Sequence, residues 1–185
     1  LAEVVAKAKA QPGRLNYASV GKGSISQLSM EGLNAAAGIR AEHIPYNGGA
    51  QAVAALLAGD VQLLSLNPTA LIPHMRSGRI RVVAQAGARR SPLIPDLPTV
   101  AESGFPGFEM LSWYGLWAPP GLPKDVLDRL AAETAKAAKS AEMQEKLASQ
   151  GFIPDGSGAA AFAAYVKDEI AKYAKIVKDA NIKVD

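Results

Sequence analysis

Three short stretches of this chain carry residue types suited to holding an anion: Gly21-Lys22-Gly23-Ser24 following Ser19, Asn47-Gly48-Gly49, and Asn67-Pro68. Each follows an apolar stretch and precedes one with helical periodicity, so each reads as the start of a helix. A helix start leaves backbone N–H groups without intrahelical partners and carries the positive end of the helix dipole. Gly21, Gly23, Gly48 and Gly49 let an anion approach the backbone closely, and Ser19, Ser24, Asn47 and Asn67 can add side-chain hydrogen bonds. None of the three loops contains Asp or Glu. A carboxylate or phosphate is therefore the natural guest. One helix end contributes only about 0.3–1 kcal/mol toward an exposed charge, so several must converge. Ser24 and Asn67 also stand where helix caps stand, and capping would occupy their side chains.

Other chemistries find little support. Ser26 stands where a dinucleotide-binding G-x-G-x-x-G needs its third glycine, and no G-x-x-x-x-G-K-[ST] occurs. Ser24 lacks the G-x-S-x-G frame of a nucleophile elbow. His43 falls inside a predicted strand and reads as structural; His74 falls late in a predicted helix. Asp60, Asp96 and Glu102 are scattered near turns and form no acid–base pair. With no Cys and two His, a disulfide framework, a thiol nucleophile and a Cys-ligated zinc site are excluded, and no metal or other cofactor is expected. Hydrophobic residues at 49% and charged residues at 20% are ordinary for a globular chain. The net charge of +3 comes without a dense basic cluster, so nucleic acid is not an expected partner. No apolar run approaches the roughly 18–20 residues that span a bilayer.

The elements that must position the loops follow from periodicity and punctuation. Residues 1–10 read as an amphipathic helix, stopped by Gln11-Pro12-Gly13. Residues 15–19 read as a strand. Ser24 and Gln27 form an S-x-x-Q capping box, and the helix they open runs to Gly38. Residues 41–46 and 50–58 repeat the strand–loop–helix unit, closed by Gly59. Residues 61–66 form a third strand. Asn67-Pro68 then supplies an N-cap with proline at the first helical position, and that helix ends near Ser77-Gly78. Residues 80–86 are predicted as a fourth strand. This alternation predicts right-handed crossovers and a mainly parallel sheet, with all three helix starts on one edge, where open α/β folds bind ligands.

Beyond Gly87 the composition changes. Residues 91–98 hold three prolines and read as an extended loop, and Thr99 with Glu102 makes a second capping box for about one helical turn. Residues 108–117 are rich in aromatic and β-favouring types and predict a long strand, in which Trp113, Tyr114 and Trp117 are expected to pack in a core. The last third is helical. Phe162, Tyr165, Val166, Ile170, Tyr173, Ile176 and Val177 form an apolar stripe, with Lys and Glu on a solvated opposite face.

Five stretches in order also resemble one family. They are Pro12-Gly13-Arg14-Leu15-Asn16-Tyr17-Ala18-Ser19 with Gly21-Lys22-Gly23-Ser24, Pro45-Tyr46-Asn47-Gly48-Gly49, Ser77-Gly78-Arg79-Ile80, residues 95–104, and Trp113-Tyr114-Gly115-Leu116 with Ala118-Pro119. They resemble the Bug family, the periplasmic substrate-binding proteins of tripartite tricarboxylate transporters. The resemblance implies an α/β, type II periplasmic-binding-protein (Venus flytrap) architecture, with a carboxylate-bearing solute held between two lobes. It implies that residues 1–113 form the second ligand-binding lobe. Residues 114–185 would be a hinge return strand and C-terminal helices packing on the first lobe, whose N-terminal half lies outside this chain. Carried over by position, the ligand contacts are Ser19, Gly21, Gly23 and Ser24, then Tyr46, Asn47, Gly48 and Gly49, then Ser65 and Asn67. Gln27 stands where the family often has His, and Leu66 where it often has Asp; the second departure implies a site less suited to an ammonium-bearing solute.

The expected function is therefore capture of a small organic carboxylate without chemistry, for delivery to the membrane components of such a transporter. The expected location is the periplasm, with a signal peptide upstream of residue 1. A ligand-sensing domain of a regulator or receptor is the alternative, and an enzyme acting on an anionic metabolite a weaker one. The intact protein is expected to be a monomer. In the chain taken alone, the uncovered stripe 162–177 is expected to self-associate or repack on the chain's own surface.

Overall fold

The computed structural model describes residues 1–183. Helix α1 (Ala2–Ala10) leads through the turn at Gly13 into strand β1 (Leu15–Ser19). Helix α2 (Ile25–Ala37) follows, with Ser24 as its N-cap and Gly38 in the left-handed conformation at its C-terminal end. Strand β2 (Ala41–Pro45) and helix α3 (Gly49–Ala58) repeat the unit, closed by left-handed Gly59. Strand β3 (Leu63–Leu64) leads to helix α4 (Pro68–Arg76), capped by Asn67. The sheet has the order β2-β1-β3 and is parallel throughout, with Tyr17 paired to His43 on one side and to Leu63 on the other.

Central strand β1 is buried on both faces, which explains its lack of polar alternation. Leu15 and Tyr17 pack with Ala8 of α1 and with Met30, Leu33 and Ala37 of α2. Ala18 faces the other way, onto Ala52 and Ala55 of α3 and Val61. Small residues on α3 let that helix lie close to the sheet, and Ala18 and Ala52 are fully buried. The result is a helix–sheet–helix sandwich with the sheet at its centre.

Three expectations need correction. The third strand, Leu63–Leu64, is shorter than residues 61–66; at its start Gln62 Oε1 takes the Asn16 N–H at 3.0 Å in place of a backbone carbonyl. Residues 80–86 form no strand. Their pairing reduces to an isolated bridge between Gln85 and Thr99, where the Gln85 N–H donates to Pro98 O and the Val100 N–H to Gln85 O. Proline at 98 has no N–H to continue a ladder. Residues 108–117 form no strand either; Met110 N–H donates to Ala86 O at 2.8 Å without building a ladder. The Thr99–Glu102 capping box does form reciprocally: Glu102 Oε2 accepts from the Thr99 N–H at 2.7 Å, and Thr99 Oγ1 from the Glu102 N–H at 3.0 Å.

The chain divides into two compact units, one of Leu1–Ser112 with Ala174 onward, the other of Trp113–Tyr173. The second contains α5 (Lys124–Lys139), α6 (Ala141–Ser149) and most of α7 (Ala159–Asp179). Trp113 packs edge-on to Phe162 and Tyr165, with ring centroids 5.8 and 5.7 Å apart. Its indole N–H donates to Glu169 Oε2 at 3.2 Å, and Glu169 also pairs with Lys172. Glu169, expected on a solvated face, is therefore buried, 5% exposed. Tyr114 and Trp117, expected in a core, are 77% and 68% exposed. Neither α5 nor α6 contains a fully buried residue.

Candidate functional site

Parallel pairing sends all three strands the same way, so the chain leaves β1, β2 and β3 along one edge and enters α2, α3 and α4 there. Specific contacts tie the three loops together. The Tyr46 N–H donates to Ser19 O at 3.0 Å, joining the second loop to the first. A Cβ placed on Gly49 would stand 3.4 Å from Leu66 Cδ2, which brings the third loop against the second. Ser65 Oγ donates to Ser29 Oγ on α2 at 3.1 Å. The three loops thus lie side by side along this edge, with Ser19 buried beneath the first.

The three helix starts differ in how far their polar groups are already spent. The first loop is satisfied from within. Ser26 Oγ accepts from the Val20 N–H at 2.9 Å, Ser19 Oγ from the Gly21 N–H at 3.2 Å, and Gln27 Oε1 from the Gly23 N–H at 2.8 Å. Gly21 O accepts from both Ser19 Oγ at 3.0 Å and Ser24 Oγ at 2.6 Å. Ser24 also caps Gln27 N–H. The glycine N–H groups of this loop therefore shape the turn. Gly21, at φ +132°, holds a conformation that side-chain-bearing residues avoid.

The second loop is open. Gly48 precedes α3 at φ +119° and ψ 171°, and the α3 start has no side-chain cap. Asn47 donates its N–H to Gln51 Oε1 at 3.1 Å, and no heavy atom beyond its chain neighbours lies within 4 Å of a Cβ built on Gly48. Among the described residues, no side-chain cap hydrogen bond reaches the first turn of α3 from its N-cap, Gly48. The third loop is closed: Asn67 Oδ1 accepts from Thr69 N–H at 3.0 Å and Thr69 Oγ1 at 2.8 Å, and Pro68 has no N–H to offer. Ser24 and Asn67 thus act as caps.

Beneath the first loop lies a polar network that the sequence reading missed. His43 Nε2 sits 2.5 Å from Ser19 Oγ, and its ring stacks on Tyr17 at 5.1 Å. Tyr17 Oη donates to Glu31 Oε1 at 2.5 Å, and Asn34 Nδ2 donates to Glu31 Oε2 at 3.1 Å. Burial pushes the His43 pKa below its ordinary value; Glu31 opposes that shift and Lys22 adds to it. At neutral pH the imidazole is neutral. Burial first, then the bond to Glu31, raises the Tyr17 pKa strongly, so the phenol stays protonated. The signal was available in the register, because parallel pairing of Tyr17 with His43 sets Ser19 one pleat further along the same face.

This pair is not a nucleophile with its base. Ser19 is fully buried, and its hydroxyl already has bonds to Gly21 and His43. Among the described residues no group of three or more His, Asp or Glu is placed to hold a metal ion, and no helix is long and apolar enough to cross a membrane.

Comparison with known proteins places this edge in context. A family model described as "tripartite tricarboxylate transporter family receptor" matches residues 1–182. Protein BugT of Bordetella pertussis is 32% identical over 181 residues, covering 98% of this chain and 56% of BugT. The structure described as R. palustris Rpa4515 with adipate superimposes with a TM-score of 0.81 at 31% identity, covering 98% of this chain and 61% of that one. MatC from Rhodopseudomonas palustris with bound malate superimposes with a TM-score of 0.75 at 28% identity, covering 96% of this chain and 61% of that one. The chain thus spans little more than half the length of the curated relatives it matches.

Proposed function

Because this chain belongs to the family of tripartite tricarboxylate transporter receptors, we propose that it is the solute-holding portion of a binding protein that captures a small organic carboxylate. The observation that carries the reading is the loop edge: three parallel strands deliver three helix starts to one side, no carboxylate lies in their loops, and the α3 start is uncapped. A carboxylate there meets first-turn N–H groups of α3, with Lys22 adding positive potential from the first loop. Tyr46, Asn47, Gly48 and Gly49 line this opening. Ser65 and Asn67 border it, and Ser19, Gly21, Gly23 and Ser24 form its preset wall. The bound adipate and malate of the two related structures favour a dicarboxylate of four to six carbons. Ser19, the hydroxyl that meets His43, is buried and already bonded to Gly21, which supports capture without turnover.

On this reading residues 1–113 are one ligand-binding lobe, and residues 114–185 return to the other lobe of a longer protein. The exposed Tyr114, Leu116, Trp117, Leu130, Ile153 and Ile170 then belong to a face that the remaining segment covers. The complete protein works in the periplasm behind a cleavable signal peptide and hands its solute to the membrane components of a tripartite transporter.

Calorimetric titration of the complete protein with adipate, malate, citrate and their monocarboxylate analogues tests the function. Saturable one-to-one binding of at least one diacid or triacid is expected. A folded protein that binds none of them, or that converts one to product, overturns the reading.

A further inference from the structure

Ser19 Oγ has three polar neighbours and a fixed capacity. A hydroxyl donates one hydrogen bond and accepts two. The Gly21 N–H can only donate, so it occupies one acceptor position at 3.2 Å. Gly21 O can only accept, so it takes the hydroxyl hydrogen at 3.0 Å. One acceptor position remains, and it points to His43 Nε2 at 2.5 Å. All three contacts coexist only when the imidazole carries its hydrogen on Nε2 and donates it. Were Nε2 the acceptor, the hydroxyl hydrogen would turn to it and Gly21 O would lose its Ser19 donor.

We propose that His43 is a positioning residue of the carboxylate site: by donating Nε2–H to Ser19 Oγ, it frees that hydroxyl to grip Gly21 by both its N–H and its carbonyl. This inference rests on the functional reading above. The grip matters electrostatically. A backbone carbonyl turned toward a bound carboxylate repels it, and Gly21 has no side chain to limit its rotation. Ser19 and Ser24 together hold the Gly21 oxygen inside the loop. His43 touches no solute in this role and acts through Ser19. The groups facing the imidazole are the Tyr17 ring stacked on it, the Ser19 hydroxyl, and the charges of Glu31 on α2 and Lys22 in the first loop.

Two substitutions separate positioning from packing. His43→Phe keeps a ring on Tyr17 and loses the donor. His43→Gln keeps an amide donor near the Nε2 position and loses the ring. In the complete protein, with adipate and malate as probes, His43→Phe is expected to weaken binding by about three- to tenfold, the worth of one neutral hydrogen bond, and His43→Gln to recover most of that loss. Nitrogen-15 spectra of the imidazole at neutral pH are expected to show the Nε2–H tautomer. A neutral Nδ1–H tautomer overturns the proposal, as does wild-type affinity in a folded His43→Phe variant. Affinity that follows the ring, with Gln weaker than Phe, overturns it as well. If the wild type binds none of the carboxylates, the functional reading fails, and the tautomer still decides whether His43 donates.

Discussion

Adjacent glycines at the head of α3 should respond to the same substitution with opposite signs. Gly48 sits at φ +119° and ψ 171°, a region open essentially to glycine alone, where a side-chain-bearing residue stores about 1–3 kcal/mol of strain. No atom crowds its Cβ position, so the cost of Gly48→Ala is purely one of backbone conformation. Gly49 has no such restriction. It is the first helical residue, and its added methyl group meets Leu66 Cδ2 at 3.4 Å, an ordinary contact. Alanine there limits the unfolded chain and contributes up to about 0.5–1 kcal/mol. Equilibrium unfolding of the complete protein in urea should therefore show Gly48→Ala less stable than wild type by about 1–3 kcal/mol and Gly49→Ala equal or slightly more stable. A backbone that relaxes at residue 48 also turns the first-turn N–H groups of α3, and each charge-assisted bond so lost costs about 1.5–3 kcal/mol, roughly ten- to a hundredfold in affinity. Equal stability for the two variants, or a greater loss at Gly49, would refute this account of the turn.

Three other consequences are open to measurement. Gln85 Nε2 donates to Ile94 O and Leu97 O, and its Oε1 accepts from Ser91 N–H; Gln85→Ala should cost about 2–4 kcal/mol in unfolding free energy by stranding three backbone groups. Glu169→Ala removes the acceptor of the Trp113 indole and should cost about 1–3 kcal/mol, with red-shifted tryptophan emission, whereas Glu169→Gln should keep the emission near wild type. The depressed pKa of His43 means that the unfolded chain takes up a proton first as pH falls. Its contribution to stability is thus complete above pH about 6.5 and declines below that value, and His43→Gln should flatten this part of the urea midpoint against pH.

Where a local rule dictated the structure, the sequence was readable. Ser24 and Gly38 bracketed α2, although Gln27 reaches the Gly23 N–H instead of closing the capping box on Ser24; Gly59 closed α3, and Asn67-Pro68 opened α4. Thr99 and Glu102 paired as their spacing required. Strands failed where side-chain type was the only guide. Residues 80–86 and 108–117 are β-favouring, yet beyond local turn bonds they make single links, Gln85 with Pro98 and Val100, and Met110 with Ala86, and a ladder depends on partners that propensity does not name. That the three loops share one sheet edge was legible; how their polar groups are bonded was not. Three polar helix starts, two of them glycine-bearing, marked the edge. Which N–H groups remained available depended on Ser26 and Gln27, buried side chains of α2 that reach back to Val20 and Gly23. Glu169 escaped notice because its partner Trp113 lies far away in sequence.

The unequal state of the three helix starts bears on how a diacid is held. With the first loop spent on its own turn and the third closed by Asn67, α3 offers the one start of the three without a side-chain cap. On the proposed reading a single carboxylate group meets this edge, and the second is met by the rest of the complete protein. A disturbance confined to the α3 start then weakens a diacid and the matching monoacid by the same factor. Adipate and hexanoate, equal in carbon count, make the comparison direct. Gly48→Ala should lower both affinities in parallel, so that their ratio stays within about twofold of wild type, the range expected for independent sites. If both carboxylates met α3, the diacid would lose about twice the free energy of the monoacid, and the ratio would change tenfold or more. Such a change, measured by calorimetry under one buffer and salt condition, would show that the division of the ligand between this edge and the remaining segment is wrong.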